Sequence, residues 1–84
     1  MELKVLYDNR AQKDLKRIDK PIRQVIMDKI SINLSKAPPA GKLLSGDLKG
    51  LYSYRVGDYR VIYVKVDGGV LVVNVGHRRE VYKL

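Results

Sequence analysis

The chain has no cysteine, so it can form neither a disulfide nor a thiolate metal site. That fits a reducing cytosol. Its N-terminus carries no apolar run of the signal-peptide kind, and no stretch approaches the ~20 apolar residues of a membrane span. Histidine occurs once, at position 77. The nine carboxylates form no metal-ligand pattern, and Asp47, Asp58 and Asp67 sit beside glycines as turn residues do. Phosphate-cradling glycine loops, Ser-His-Asp arrangements, internal repeats and low-complexity tracts are all missing from the sequence. Acidic residues are scarce too: nine, against seventeen lysines and arginines, for a net charge of +8. Such an imbalance points to a polyanionic partner, nucleic acid above all. The excess is spread evenly. Residues 1–38 hold nine basic and five acidic side chains, and residues 39–84 hold eight and four.

What is present fits one small domain over residues 1–84, of a size that folds alone but marginally. Leu3, Val5 and Tyr7 alternate with Glu2, Lys4 and Leu6, which predicts a short strand. Asp8 or Asn9 can cap a following helix. Ala11, Leu15 and Ile18 give that helix its apolar spacing, and Arg10, Lys13, Lys16 and Arg17 make it strongly basic. Asp19-Lys20-Pro21 ends one helix and starts another, with the proline in a tolerated first-turn place. Ile22, Val25, Ile26, Ile30 and Leu34 form an apolar stripe that should run to about Lys36, ahead of Pro38-Pro39. The two helices read as an αα-hairpin that needs a sheet to cover. Pro38 to Gly50 reads as a loop with Leu43, Leu44 and Leu48 as buried anchors.

The last third, Leu51 to Leu84, holds five of the six tyrosines. It reads as a three-stranded antiparallel meander. Gly57-Asp58 suits a two-residue hairpin turn. That register sets Val56 opposite Tyr59, Arg55 opposite Arg60 and Tyr54 opposite Val61. Arg55 and Arg60 then share one face, while Tyr52, Tyr54, Val56, Tyr59, Val61 and Tyr63 share the face under the helices. Like charges directly opposite each other destabilise a sheet, so the pair asks for a functional reason. The next turn, around Asp67-Gly68-Gly69, decides the faces of the last strand. A three-residue loop pairs Val66 with Val70. It joins Val72, Asn74, Gly76 and Arg78 to the arginine face, and Leu71, Val73 and Val75 to the core. A two-residue loop swaps the faces and replaces Arg78 by His77. We expect three residues, because that puts polar Asn74 on the polar face.

One face would thus gather Arg55, Arg60 and Arg78 beside Ser53 and Asn74, with Tyr82, four residues after Arg78, able to fold back toward them. Guanidinium groups present a planar fork of donors to phosphate and can stabilise extra negative charge in a transition state. RNA carries its own nucleophile, the 2′-hydroxyl. Cleavage needs a base for that hydroxyl, cations for the phosphate oxygens, and an acid for the 5′-oxygen. Tyr82 is a candidate base if the arginines lower its pKa; His77 is the other group that titrates near neutrality.

The segments LKG-LY-SYRVGDYRVIY (Leu48 to Tyr63) and VNVGHRREVY (Val73 to Tyr82), with the two helices before them, resemble the RelE/ParE toxin superfamily, and RelE-like mRNA interferases in particular. The resemblance implies an α+β domain: an N-terminal strand, an αα-hairpin and a three-stranded antiparallel meander, with the helices on one face of the sheet. It implies a cytoplasmic toxin that enters the ribosomal A site, contacts 16S rRNA and cleaves mRNA without a metal or other cofactor. A cognate antitoxin would inhibit it. Matched to the family's motif, Arg55, Arg60, Arg78 and Tyr82 are the catalytic set. Lys49, Ser53, His77, Arg79 and Lys83 are the accompanying RNA-binding set. The alternatives are a ParE-like DNA gyrase poison and a non-catalytic RNA- or antitoxin-binding module of the same fold.

Overall fold

A computed structural model describes residues 2–44 and 50–77. The chain enters as strand β1, Lys4–Tyr7. Asp8 then starts helix α1, Asn9–Lys16, its carboxylate accepting from the Arg10 N–H at 2.6 Å. Of the two cap candidates, Asp8 does the capping. Helix α2, Lys20–Asn33, follows with Pro21 in its first turn, and Asp19 stands at its N-cap without a side-chain cap bond. It ends at Asn33, about a turn before Lys36.

The next segment is more ordered than a loop. Strand β2, Lys42–Leu43, pairs antiparallel with β3, Tyr52–Val56. Leu43 is therefore an edge-strand residue, 61% exposed, and not the buried anchor that its neighbours suggest. Leu48 lies outside the described residues. Side chains tie this segment down. The Tyr63 hydroxyl donates to the Ala40 carbonyl at 2.6 Å, and the Asn33 amide donates to the Tyr54 hydroxyl at 2.7 Å.

Strands β4, Tyr59–Val66, and β5, Gly69–His77, complete a five-stranded sheet in the order β1-β5-β4-β3-β2. The β3–β4 register matches the expectation: Arg55 faces Arg60, Tyr54 faces Val61 and Val56 faces Tyr59. Gly57 turns the corner with φ +58°, which glycine adopts without a Cβ penalty. The chain meander is thus joined on one side by β2 and on the other by β1, which runs parallel to β5.

The β4–β5 turn departs from the expectation. Val66 pairs with Gly69, so the loop is the two residues Asp67 and Gly68. That alone would swap the faces of β5. A β-bulge restores them. Tyr63 pairs with Val72 but Ile62 pairs with Asn74, which leaves Val73 as the extra residue. Below the bulge Val70 and Val72 enter the core in place of Leu71 and Val73; above it Val75 does, as expected. The bulge sits where β5 changes partner. β1 ends opposite Val72, and beyond it α1 supplies the acceptor: the Asp14 carboxylate takes the Val75 N–H at 2.9 Å and the Asn74 side-chain amide at 3.0 Å.

The core lies between the two helices and one face of the sheet. It joins Ala11, Leu15, Ile18, Ile26, Ile30 and Leu34 to Val61, Tyr63, Val70, Val72 and Val75, with Tyr52, Tyr54, Val56 and Tyr59 packed against them. Ile22 and Val25 are not part of it; they are 41% and 52% exposed on a flank of α2. At about 100° per residue Val25 is turned about 100° from Ile26 and about 140° from Ile30, whereas Ile22 lies about 40° from Ile26, one turn before it at the helix start.

Candidate functional site

Period-two alternation sends Ser53, Arg55, Arg60 and Ile62 to the sheet face opposite the helices. Cross-strand pairing then makes Arg55 and Arg60 direct neighbours, with Gly76 on the far side of Arg60. A glycine there leaves the space beside Arg60 free of a third strand's side chain. The Arg55 Nε donates to the Gly57 carbonyl at 3.2 Å, a contact within its own hairpin. The Arg60 Nη1 donates to the Ser53 hydroxyl at 3.4 Å. Ser53 is buried and Arg60 half-buried, so this guanidinium is braced from the sheet while Arg55 stands exposed.

These residues line one wall of a cleft of about 620 Å³. Its other wall is the 41–44 segment, with Gly41, Lys42, Leu43 and Leu44. Lys42 pairs with Ser53 and so falls on the arginine face. It was not among the candidate site residues, because nothing in PPAGKLL signals a strand. Its place is set by the pairing of β2 with β3, which joins positions about ten apart across a loop. Three cations, Lys42, Arg55 and Arg60, therefore converge on one cleft. Such a cluster attracts an anion, and the two guanidinium groups match phosphate geometry.

The other candidates divide. Asn74 is buried on the same face, but its amide is spent on Asp14. His77 lies opposite Tyr59, on the helix face of the sheet, with its ring 5.9 Å from the Tyr59 ring in an edge-on contact. There it lines a different cleft with Asp14, Arg17 and Ile18. The fold thus brings Arg55, Arg60 and Ser53 together and sets His77 apart from them. Lys49, Arg78, Arg79, Tyr82 and Lys83 lie outside the described residues. The core tyrosines are built into the fold. Tyr52 and Tyr63 stack at 5.3 Å, and the Lys65 ammonium lies 4.7 Å from the Tyr52 ring centre. Burial raises the pKa of Tyr63, with Tyr52 adding to the shift, and burial likewise raises that of Tyr7. Among the described residues no three His, Asp or Glu side chains group as a metal site, and no helix is long and apolar enough to cross a membrane.

Residues 5–82 match the family described as ParE toxin of type II toxin-antitoxin system, parDE. The chain is 35% identical over 77 residues to Toxin RelE of Mycobacterium tuberculosis (strain ATCC 25618 / H37Rv), covering 88% of this chain and 79% of that one. It is 30% identical over 87 residues to Toxin RelG of the same organism, covering 99% of each. The fold superposes on the toxin–antitoxin complex RelBE2 of M. tuberculosis with a TM-score of 0.84, at 28% identity and 95% coverage of both chains. An N-terminal strand, two helices on one sheet face and a matching sequence over nearly the whole length leave one assignment: the chain belongs to the RelE/ParE superfamily and is a toxin of the RelE family of type II toxin–antitoxin modules.

Proposed function

We propose that this toxin is a ribosome-dependent endoribonuclease that cleaves mRNA in the A site by attack of the 2′-hydroxyl on the adjacent phosphate, without a metal. The observation that carries the reading is the Arg55–Arg60 pair on a cleft it shares with Lys42. Two like charges held face to face cost stability, and an anion between them reverses the sign of that cost. In this reading Arg60, braced by Ser53, and Arg78 hold the scissile phosphate and neutralise the charge that builds on its oxygens. Arg55 supports the same charge. Tyr82 takes the 2′-hydroxyl proton, and Lys49, Ser53, His77, Arg79 and Lys83 contact RNA. The His77 ring, on the other sheet face, meets a different part of the RNA from the cleft. The relative solved as a RelBE2 toxin–antitoxin complex supports an antitoxin as the second partner. The site of action is the cytoplasm, where ribosomes are.

A second reading follows from the ParE description of the matching family: a gyrase poison that acts by protein contact alone. Primer extension on translated mRNA after brief induction separates them. The nuclease reading expects new 5′ ends within codons, abolished by Arg60→Ala, with gyrase supercoiling unaffected. Intact mRNA with inhibited gyrase would transfer the assignment to the second reading.

A further inference from the structure

We infer that Asp14 of α1, which does not line the arginine cleft, is a positioning residue for the phosphate site at Arg60: it pins the bulge at Val73, and the bulge sets glycine rather than valine beside Arg60. This rests on the nuclease reading above and adds a residue that acts on the site from the edge of the sheet.

Two registers are open to β5 against β4. The Asp67-Gly68 turn fixes Val66 opposite Gly69. Counted straight on from there, Ile62 would meet Val73, Val61 would meet Asn74, and Arg60 would meet Val75. His77 would then join the arginine face. The strand follows this count only as far as Tyr63 and Val72. Beyond the bulge Ile62 meets Asn74, Arg60 meets Gly76 and Tyr59 meets His77. One extra residue thus replaces a branched side chain beside Arg60 by none. Directly opposed residues hold their Cβ atoms about 5 Å apart, so Val75 in that place would crowd the side of Arg60 that a phosphate can approach.

The bond that Asp14 makes belongs to the bulged register alone. A strand residue points its N–H and C=O to the same side, and successive residues alternate. The Val72 carbonyl faces β1 and takes the Asp8 N–H at 3.0 Å. Along a straight strand Asn74 would be the next to face that side, and the Val75 N–H would face β4. The bulge reverses this order. The Val75 N–H turns to the β1 side just where β1 has ended, since the last pair there is Tyr7 with Val72. One oxygen of Asp14 takes that N–H at 2.9 Å and the Asn74 side-chain amide at 3.0 Å. Hydrogen bonds to a carboxylate are of the stronger, charge-assisted kind. Core packing pulls the same way, because Val75 is 3% exposed on the helix face and would leave the core in the straight register. Asp14 is therefore the polar half of a register lock whose apolar half is Val75.

The full chain and its Asp14→Ala, Asp14→Asn and Gly76→Val variants test this. The readouts are single-turnover cleavage on programmed ribosomes, ribosome binding, and NMR cross-strand contacts that tell an Arg60–Gly76 pair from an Arg60–Val75 pair. Asp14→Ala should lose the Arg60–Gly76 pair, release the Val75 amide to faster exchange, and cut about 10- to 100-fold more slowly, with ribosome binding within about twofold of wild type. Asp14→Asn keeps a carbonyl oxygen for the Val75 N–H and should recover most of the rate. Gly76→Val leaves Asp14 and the bulge in place and should reproduce the slow cleavage, because it puts a branched side chain beside Arg60. An Asp14 that only stabilises the fold predicts a lower melting temperature with unchanged cleavage by the folded protein. That result overturns the proposal, as does an Arg60–Gly76 pair that survives Asp14→Ala. If Asp14→Ala does not fold, Gly76→Val decides: full-rate cleavage overturns the proposal, and slow cleavage with the pair kept supports it. A wild-type chain that cuts no RNA overturns the nuclease reading itself, a result distinct from wild-type cleavage that the variants leave unchanged.

Discussion

At the scale of single residues, hydroxyls and guanidinium groups make up the candidate site. Arg60 differs from Arg55 in having a brace across the strands: its Nη1 donates to the buried Ser53 hydroxyl, while among the described residues Arg55 bonds to the Gly57 carbonyl of its own turn. A braced cation loses less freedom on binding phosphate and holds it in a better-defined place. The catalytic reading makes a sharp claim about Tyr82. Phenylalanine at that position keeps the ring and removes only the proton acceptor. Tyr82→Phe is expected to bind ribosomes normally and to cut roughly 10²- to 10⁴-fold more slowly in single turnover. Wild-type rates for this variant from pH 6 to 9, a range of ~3 units around the usual working point of catalytic groups, would remove Tyr82 from the chemistry. The base would then have to be sought elsewhere, and His77 would need to reach the phosphate from the other face of the sheet.

Between elements, the most constrained contact is where β1 meets the start of β5. A Cβ placed on Gly69 would stand 2.2 Å from the Lys4 carbonyl oxygen, which is backbone and cannot swing aside. Glycine is required there by close approach, since its φ is not positive. Gly69→Ala should therefore part β1 from β5 and cost on the order of 1–3 kcal/mol, the usual range for overpacking. Urea denaturation would measure this. A midpoint equal to wild type would mean that the two strands separate without cost. The opposite end of the same pair is held differently. Where β1 stops, Asp14 of α1 continues the hydrogen bonding of β5, so one strand is flanked in turn by a strand and by a helix.

For the molecule as a whole, the half-buried Tyr7 and the buried Tyr63 are expected to weaken the fold at alkaline pH. Burial disfavours tyrosinate in Tyr7 and Tyr63, so both pKa values are raised above the ordinary 10.0. The unfolded chain thus gives up these protons at lower pH than the folded chain does. Their contribution is complete below about pH 10 and is lost as pH rises through the raised values. Thermal melts should show Tm falling above that pH. Tyr63→Phe should soften the fall and, at neutral pH, lose the bond to Ala40, which is worth about 1 kcal/mol. An alkaline limb unchanged by Tyr63→Phe would mean that this hydroxyl does not drive the transition.

How much of this was legible beforehand follows from the range of the forces involved. Local pattern determined the helices, the Gly57-Asp58 hairpin, and through it the Arg55–Arg60 pair and the tyrosine-lined core face. Each depends on residues a few positions apart, where periodicity and turn chemistry act directly. The same reasoning misplaced Ile22 and Val25, because a helix's apolar stripe is wider than the part its neighbours cover. It missed β2, since a two-residue strand has no period to read. It also misjudged the Asp67-Gly68 turn, and the error cancelled only because a bulge at Val73 shifts the register back. That bulge belongs to the meeting of β5 with β1 and Asp14, some sixty residues earlier in the chain. Pairings across that distance are chosen by packing and by the need to satisfy buried backbone groups, and no local pattern records them. The placing of Arg55 beside Arg60 was therefore written in the sequence; Lys42's arrival beside them, His77's departure to the other side and the open edge of β1 were decided by the tertiary structure.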